Sequence, residues 1–216
     1  MIGAIGLLDG ITATIIILTS TIFGILSFYN ARKLGAKLLY YAGLMMISIG
    51  LFWLGPFTDL LKVLITGTNL SPPYIYGWLS YLWVGPSIIV AMYLGSELLA
   101  PNRKKSIVII YAILGALFDV LIFVFPPYKA GTYGTFKFAP YTPGVDLIDT
   151  GFQMPFPAFW LVAFFLISVF IFEGIGFAIK AKKASGTLRK KFIFLSLGFI
   201  IFVICGALDS VLDFSF

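Results

Sequence analysis

The chain alternates long apolar runs with short polar turns, and this alternation predicts its secondary structure. A helix needs about 20 predominantly apolar residues to cross the hydrocarbon core of a bilayer. Six runs reach that length, and each contains few charged residues. The predicted spans are residues 7–29, 36–65, 74–99, 106–125, 158–181 and 192–214. The pattern therefore predicts an all-α, polytopic membrane helix bundle that forms a single transmembrane domain over residues 1–216.

The second and third predicted spans each contain a Trp-x-Gly-Pro sequence. It reads WLGP at residues 53–56 and WVGP at residues 83–86. Proline lacks a backbone N–H and clashes with the preceding turn, so both spans are expected to kink. Kinked helices frequently line substrate sites in transporters, but many membrane helices kink without such a role. Both interpretations stay open at this point.

The polar turns differ in charge between the two ends of the predicted bundle. Twelve of the 15 basic residues fall in segments 30–37, 101–105 and 180–191, which follow the first, third and fifth spans. The positive-inside rule places these segments in the cytoplasm. The predicted protein is then a multi-pass protein of the cell membrane with both termini outside, and residues 126–157 form a long outer loop between the fourth and fifth spans.

The outer loop is long for a helical bundle, in which connections usually have about 2–8 residues. Residues 132–138 have a strand-like composition, and residues 151–160 are apolar and interrupted by prolines. We expect an ordered cap over the outer mouth of the bundle, with ligand binding as the alternative. The shorter outer connection at residues 66–73 contains a glycosylation sequon at Asn69, which we interpret as a chance occurrence.

Composition excludes several classes of function. The chain is 60% hydrophobic and only 11% charged, whereas soluble domains have about 25% charged residues, so the lipid bilayer must be its solvent. It has no histidine and one cysteine, Cys205, which argues against haem, di-copper and zinc sites, Ser-His triads and disulfides. No nucleotide-binding or hydrolase motif is present. We therefore predict no enzyme activity, no catalytic residue, no cofactor and no nucleic-acid partner, while a bound metal ion stays open.

Five acidic residues are the candidates for ion or proton binding. They are Asp9, Asp59, Asp119, Asp209 and Glu173. A carboxylate inside a bilayer is costly unless it faces a packed interior, a partner or water, so such residues are usually functional. Asp119 is the strongest candidate, because it lies well inside the fourth span.

A glycine precedes an aspartate in the outer half of the second, fourth and sixth spans. The pairs are Gly55 with Asp59, Gly115 with Asp119, and Gly206 with Asp209 and Asp213. The first hypothesis places Asp9, Asp59, Asp119 and Asp209 around one water-filled cavity, where carboxylates bind a cation or pass protons. The alternative is that headgroups hydrate most of these aspartates and that the glycines serve helix packing.

Two glutamates have simpler interpretations as well. Glu173 lies in the inner third of the fifth span, where it either bonds to a neighbouring helix or pairs with a lysine such as Lys180. Glu97, near the inner end of the third span, is expected to form an interfacial ion pair with Arg103 or Lys104.

Three functions fit this pattern. The first is a small cation- or proton-handling transporter or channel centred on Asp119. The second is a non-catalytic accessory subunit with a membrane-protein partner, or a homo-oligomer. The third is a membrane sensor that binds a ligand under the outer loop. The sequence alone leaves all three open.

Overall fold

A computed structural model describes residues 2–126 and 133–211, with side chains to residue 208. Six helices within this part of the chain are long and apolar enough to cross a membrane. In chain order the α-helices are α1 (Ala4–Leu34), α2 (Lys37–Gly50), α3 (Leu54–Thr66), α4 (Tyr74–Tyr81), α5 (Val84–Leu99), α6 (Lys104–Val124), α7 (Pro157–Val169), α8 (Gly176–Lys183) and α9 (Gly186–Val211). The prediction of an all-α bundle with six helices of membrane-spanning length is confirmed.

Three short segments interrupt the spanning helices or precede them. A 3₁₀ turn at Leu51–Trp53 separates α2 from α3, and another at Pro101–Arg103 precedes α6. A π-helix at Phe170–Ile175 joins α7 to α8. Helix ends otherwise lie within a few residues of the prediction, except that α1 continues to Leu34 and α9 begins at Gly186, six residues before the predicted start at 192. There Gly35 adopts φ 62° and closes the helix with a left-handed cap.

The predicted kinks fall one turn before the two prolines. The ring of a helical proline clashes with the carbonyl of the residue four positions earlier. That residue is Phe52 for Pro56, and it lies in the 3₁₀ turn between α2 and α3. For Pro86 it is Leu82, the residue that directly follows α4. Each proline therefore sits in the first turn of the second half-helix, where the missing N–H does no harm.

Helix α5 is the central element of the bundle. It contacts α2, α6, α7, the π-helix and α8. Helices α4 and α5 form one spanning segment, and 44% of the residues in its most apolar stretch are buried inside the protein. The corresponding fraction is 17% for α1 and 11% for α9. Helix α1 packs on α2 and α3, and α9 packs on α7, the π-helix and α8. Side chains that face α5 are therefore in the protein interior, whereas α1 and α9 are peripheral.

The long predicted loop forms an ordered cap, which we define as residues 133–156. Strand β1 (Phe136–Phe138) pairs antiparallel with β2 (Thr150–Phe152), with Phe136 opposite Phe152. The strand predicted at 132–138 is thus confirmed over its last three residues, whereas β2 was not predicted. Residues 127–132 lie outside the described residues.

Aromatic side chains fix the cap in the bundle. The ring of Phe152 lies 4.4 Å from that of Tyr81 and 5.8 Å from that of Phe118. Phe136 lies over Gly77, where a β-carbon would come within 2.8 Å of its ring. The cap therefore fills the end of the bundle with packed side chains. We call this end the cap side, and the end that carries the Lys/Arg-rich turns the basic side.

The end of α6 is hydrogen-bonded to its surroundings. Trp78 Nε1 donates to the carbonyl of Ile122 at 2.8 Å, and Thr135 Oγ1 donates to that of Leu121 at 3.0 Å. The backbone N–H of Thr135 donates to the carbonyl of Phe125 at 2.9 Å. The last carbonyls of a helix have no partner within it, so α4 and the cap supply donors that hold α6 in place.

Candidate functional site

Asp59 is a structural acceptor on the cap side. Its side chain on α3 is completely buried. Oδ1 accepts from the backbone N–H of Leu70 at 2.6 Å, and Oδ2 accepts from Asn69 Nδ2 at 2.8 Å and from the N–H of Ile148 at 2.9 Å. Both carboxyl oxygens are therefore occupied by donors of the protein itself.

Asn69 extends this network into the cap. Its Oδ1 accepts from the N–H of Gly144 at 2.7 Å, and its Nδ2 also donates to the carbonyl of Asp146 at 2.9 Å. Asp59 and Asn69 thus tie α3, the segment after it and the cap together. The buried, fully engaged Asn69 side chain agrees with the interpretation of the sequon as a chance occurrence.

Asp9 lies in the same region but remains exposed. It is on α1, within electrostatic range of Asp149 in the cap. The buried Tyr76 lies within range of Asp149, Asp59 and Asp9. The structure therefore brings Asp9 and Asp59 to one end of the bundle, together with an aspartate that the sequence had not singled out.

Asp119 lies apart from them, between α6 and α5. A β-carbon on Gly85 would lie 2.6 Å from Asp119 Oδ2, and one on Gly115 would lie 3.2 Å from Gly85 Cα. The two glycines let α5 and α6 approach closely, and the aspartate is pressed against the first turn of α5. Its Oδ1 is buried and has no hydrogen-bond partner among the described residues.

Other unpartnered polar atoms concentrate around the same helix break. Within the described chain, the buried side-chain atoms without a hydrogen bond are Ser80 Oγ, Trp83 Nε1, Ser87 Oγ, Asp119 Oδ1 and both carboxyl oxygens of Glu173. We call Ser80, Trp83, Ser87 and Asp119 the helix-break site, because three of them flank the junction of α4 and α5 and the fourth touches it. An unpaired buried polar group costs about 1–3 kcal/mol, so such a concentration calls for a function, a ligand or water.

The break between α2 and α3 contacts α4 close to this site. A β-carbon on Gly55 would lie 2.1 Å from Ser80 Oγ and 2.6 Å from the carbonyl oxygen of Tyr76. Ser80 belongs to the last turn of α4. The two Trp-x-Gly-Pro segments are therefore not isolated kinks, because the glycine of the first packs beside the helix that leads into the second.

An apolar cavity of about 80 Å³ lies on another side of α5. Helices α2, α5, α7 and α9 and the 3₁₀ turn before α3 contribute its lining, and Ser87 is the polar residue in it. Asp119 is not among its lining residues. The carboxyl of Asp119 is thus separated from this cavity by the body of α5.

The two glutamates have different surroundings. Glu97 forms an ion pair with Lys104, as predicted. Glu173 is completely buried in the π-helix, and no ion pair or well-aligned hydrogen bond joins it to Lys180 or to another described residue, the backbone N–H of Gly95 being the one donor close to its carboxyl. The expected pairing with Lys180 is therefore not observed.

The predicted cavity of four carboxylates is not assembled by the described residues. Asp59 and Asp119 occupy separate places, and the side chain of Asp209 lies outside the described residues, as does Asp213. Among the described residues no three acidic, cysteine or histidine side chains come together as a metal site would require.

Comparison of the chain with protein-family models, with curated proteins and with solved structures finds no match in any of the three. Function therefore has to be argued from the site itself.

Sequence reasoning missed two features of this site. It interpreted Asn69 only as a sequon, although a lone asparagine beside an apolar segment also predicts a buried hydrogen-bond partner. It treated Gly85 as a kink residue and did not pair it with Asp119. The Trp-x-Gly-Pro motif was a signal for the break, but nothing in it identified the partner helix.

Proposed function

We propose that this chain is a proton-handling membrane protein in which Asp119 binds and releases a proton. The observation that carries the proposal is the buried, unpartnered Oδ1 of Asp119 against the break between α4 and α5. An ionisable residue inside a membrane bundle marks proton or ion pathways more often than it serves packing. Broken helices provide the irregular backbone at which such pathways form.

The geometry supports a proton better than a metal cation. Hard cations take several oxygen ligands, usually with more than one carboxylate among them. Asp119 has no second described carboxylate in contact, and Asp59, the best-buried aspartate, already accepts three hydrogen bonds. A proton needs only one carboxyl oxygen, and Asp119 offers a buried oxygen that no described group occupies.

The first turn of α5 lets Asp119 exist in both charge states. When Asp119 carries a proton, its neutral carboxyl fits the apolar contact between α5 and α6. When the proton leaves, the negative charge lies beside Gly85, the second residue of α5. The amino end of a helix carries a partial positive charge that favours a nearby anion. The Ser80 hydroxyl and Trp83 Nε1 of the helix-break site are further buried polar groups without a partner, which water would satisfy.

The test is proton flux into liposomes that contain the purified protein and a trapped pH-sensitive dye. A potassium diffusion potential drives the flux, and protein-free liposomes give the background. We expect flux in the wild type and its loss in Asp119→Asn, which keeps the side-chain shape but cannot hold an exchangeable proton. Asp149→Asn is the matched control, because this aspartate is exposed in the cap.

Wild-type flux no greater than background contradicts the proposal, as does equal flux in the wild type and Asp119→Asn. The same liposomes with a sodium gradient and no pH gradient test cation transport. Sodium entry that depends on Asp119 would show that the site carries a cation rather than a proton. It would contradict the inference that a single carboxylate provides too few ligands for a metal cation.

The two other functions considered from the sequence remain predictions. A ligand-binding sensor requires space under the cap, and Phe136, Phe152 and Phe156 fill that region of the described structure. An accessory subunit requires a partner on a lipid-exposed face, and co-purification in mild detergent would find it. Neither has an observation of the strength that Asp119 provides.

A further inference from the structure

Glu173 is the most isolated ionisable group of the described structure. Its side chain is completely buried, and neither carboxyl oxygen has a hydrogen-bond partner among the described residues. It lies in the π-helix between α7 and α8, whose wider turn contains one more residue than an α-helical turn. Such single π-turns inside α-helices are frequent at functional sites.

The π-turn directs Glu173 into a notch on α5. A β-carbon on Gly95 would lie 2.9 Å from Glu173 Oε1 and 2.8 Å from Phe172 Cβ. Only glycine leaves room for the carboxyl at this position. Gly95 thus leaves space on α5 for the carboxyl of Glu173, as Gly85 does for the carboxyl of Asp119.

Helix α5 therefore faces two carboxyls with unpartnered oxygens at different depths, one oxygen of Asp119 and both oxygens of Glu173. Gly85 and Gly95 are ten residues apart, which corresponds to roughly 15 Å along a helix. Gly85 lies in the first turn of α5 and Gly95 in its second half, towards the basic side. Between α6 and α7, the Tyr111 hydroxyl donates to Ser168 Oγ at 2.6 Å, and Ser168 Oγ donates to the carbonyl of Phe164 at 2.7 Å.

No charged group of the neighbouring elements compensates Glu173. The titratable residues on α5, α8 and α9, which pack against the π-helix, are Tyr93, Glu97, Lys180, Lys182, Lys183, Arg189, Lys190, Lys191, Cys205 and Asp209, the last with its side chain outside the described residues. The side chain of Glu97 is paired with Lys104, and none of these groups is hydrogen-bonded to Glu173. An ionised carboxylate buried without a partner costs several kcal/mol, whereas a protonated carboxyl does not carry that cost.

We propose that Glu173 is a second proton-binding site, reached from the basic side, and that Asp119 and Glu173 serve the two halves of the bundle. This rests on the proposed function of Asp119. One proton enters on the carboxyl of Glu173 and one leaves from the carboxyl of Asp119 in each transfer across the bundle. The Tyr111–Ser168 pair at the contact of α6 and α7 supplies hydroxyl groups for this path, and water supplies the remaining steps.

Infrared spectroscopy tests proton binding without any need for transport. We expect the wild type in liposomes at neutral pH to show the C=O stretching band of a protonated carboxyl. Glu173→Gln should remove a component of that band that Asp119→Asn retains, and Glu97→Gln, which alters a paired, partly exposed glutamate, should leave the band unchanged. If Glu173→Gln does not fold, Glu173→Asp makes the assignment through a shift in the band. Absence of the band in the wild type, or a band in Glu173→Gln identical to that of the wild type, overturns the inference.

Proton flux separates this inference from the proposed function. Loss of flux in both Asp119→Asn and Glu173→Gln supports two sites. Loss in Asp119→Asn with normal flux in Glu173→Gln refutes the second site and leaves the proposed function intact. Wild-type flux at background level refutes the proposed function, and the infrared band then decides by itself whether Glu173 binds a proton.

Discussion

Replacing Asp59 by asparagine tests whether this residue holds the fold or serves function. Three donors meet at its carboxyl: the backbone N–H groups of Leu70 and Ile148 and the side-chain amide of Asn69. An asparagine at this position has one acceptor oxygen and one NH₂ group. In the better of its two orientations the oxygen replaces Oδ2 and keeps two of the bonds, while the NH₂ group faces the N–H of Leu70.

The expected loss of stability follows from the number of donors left unpaired. A buried donor without a partner costs about 1–3 kcal/mol. Asp59→Asn leaves the N–H of Leu70 unpaired and turns a second buried donor towards it, so it should lower the free energy of unfolding by at least about 1–3 kcal/mol. Asp59→Ala leaves all three and should cost roughly three times as much, less whatever water restores from the cap side.

Equilibrium unfolding in detergent micelles, with increasing sodium dodecyl sulfate and tryptophan fluorescence as the signal, measures these differences. Asp119→Asn is the matched control, because Asp119 Oδ1 has no hydrogen bond to lose, and we expect it to be as stable as the wild type. The reasoning is refuted if Asp59→Asn unfolds like the wild type, or if Asp119→Asn is the less stable of the two.

Two further changes test the packing of the cap and the contact between α6 and α7. Gly77→Ala places a β-carbon 2.8 Å from the Phe136 ring, so overpacking should lower the free energy of unfolding by about 1–3 kcal/mol and speed trypsin cleavage after Lys137. The control is Gly151→Ala, whose β-carbon meets nothing within 4 Å. Equal cleavage rates in the two variants would contradict the packing of Phe136 on Gly77. Tyr111→Phe removes the donor to Ser168 and should lower the free energy of unfolding by about 0.5–1.5 kcal/mol. The control is Tyr29→Phe, because Tyr29 is exposed. Identical unfolding curves for the two variants would show that the hydrogen bond to Ser168 contributes nothing to stability.

The sequence by itself determined the six spans and the positions of the helix breaks. Hydrocarbon cannot hydrogen-bond the backbone, so an apolar run of sufficient length has to be helical. Proline geometry is equally local, which is why Pro56 and Pro86 indicated breaks that the structure shows one turn earlier. The basic turns also predict how the protein is oriented in the membrane, which is a separate question from its fold.

Only the tertiary structure decided which aspartate has a fully hydrogen-bonded carboxyl and which does not. Gly55 and Asp59 have the same spacing as Gly115 and Asp119, and both pairs occupy helices. The donors to Asp59 nevertheless come from Leu70 and Ile148, 11 and 89 positions away along the chain. Asp119 meets the bare backbone of Gly85 instead.

The same holds for Glu173, whose burial depends on a π-turn that its local sequence did not indicate. Whether a carboxyl in a membrane bundle is satisfied or left open depends on residues remote in sequence. The sequence pattern places an acidic residue on a helix, but the folded structure determines whether that residue has hydrogen-bond partners.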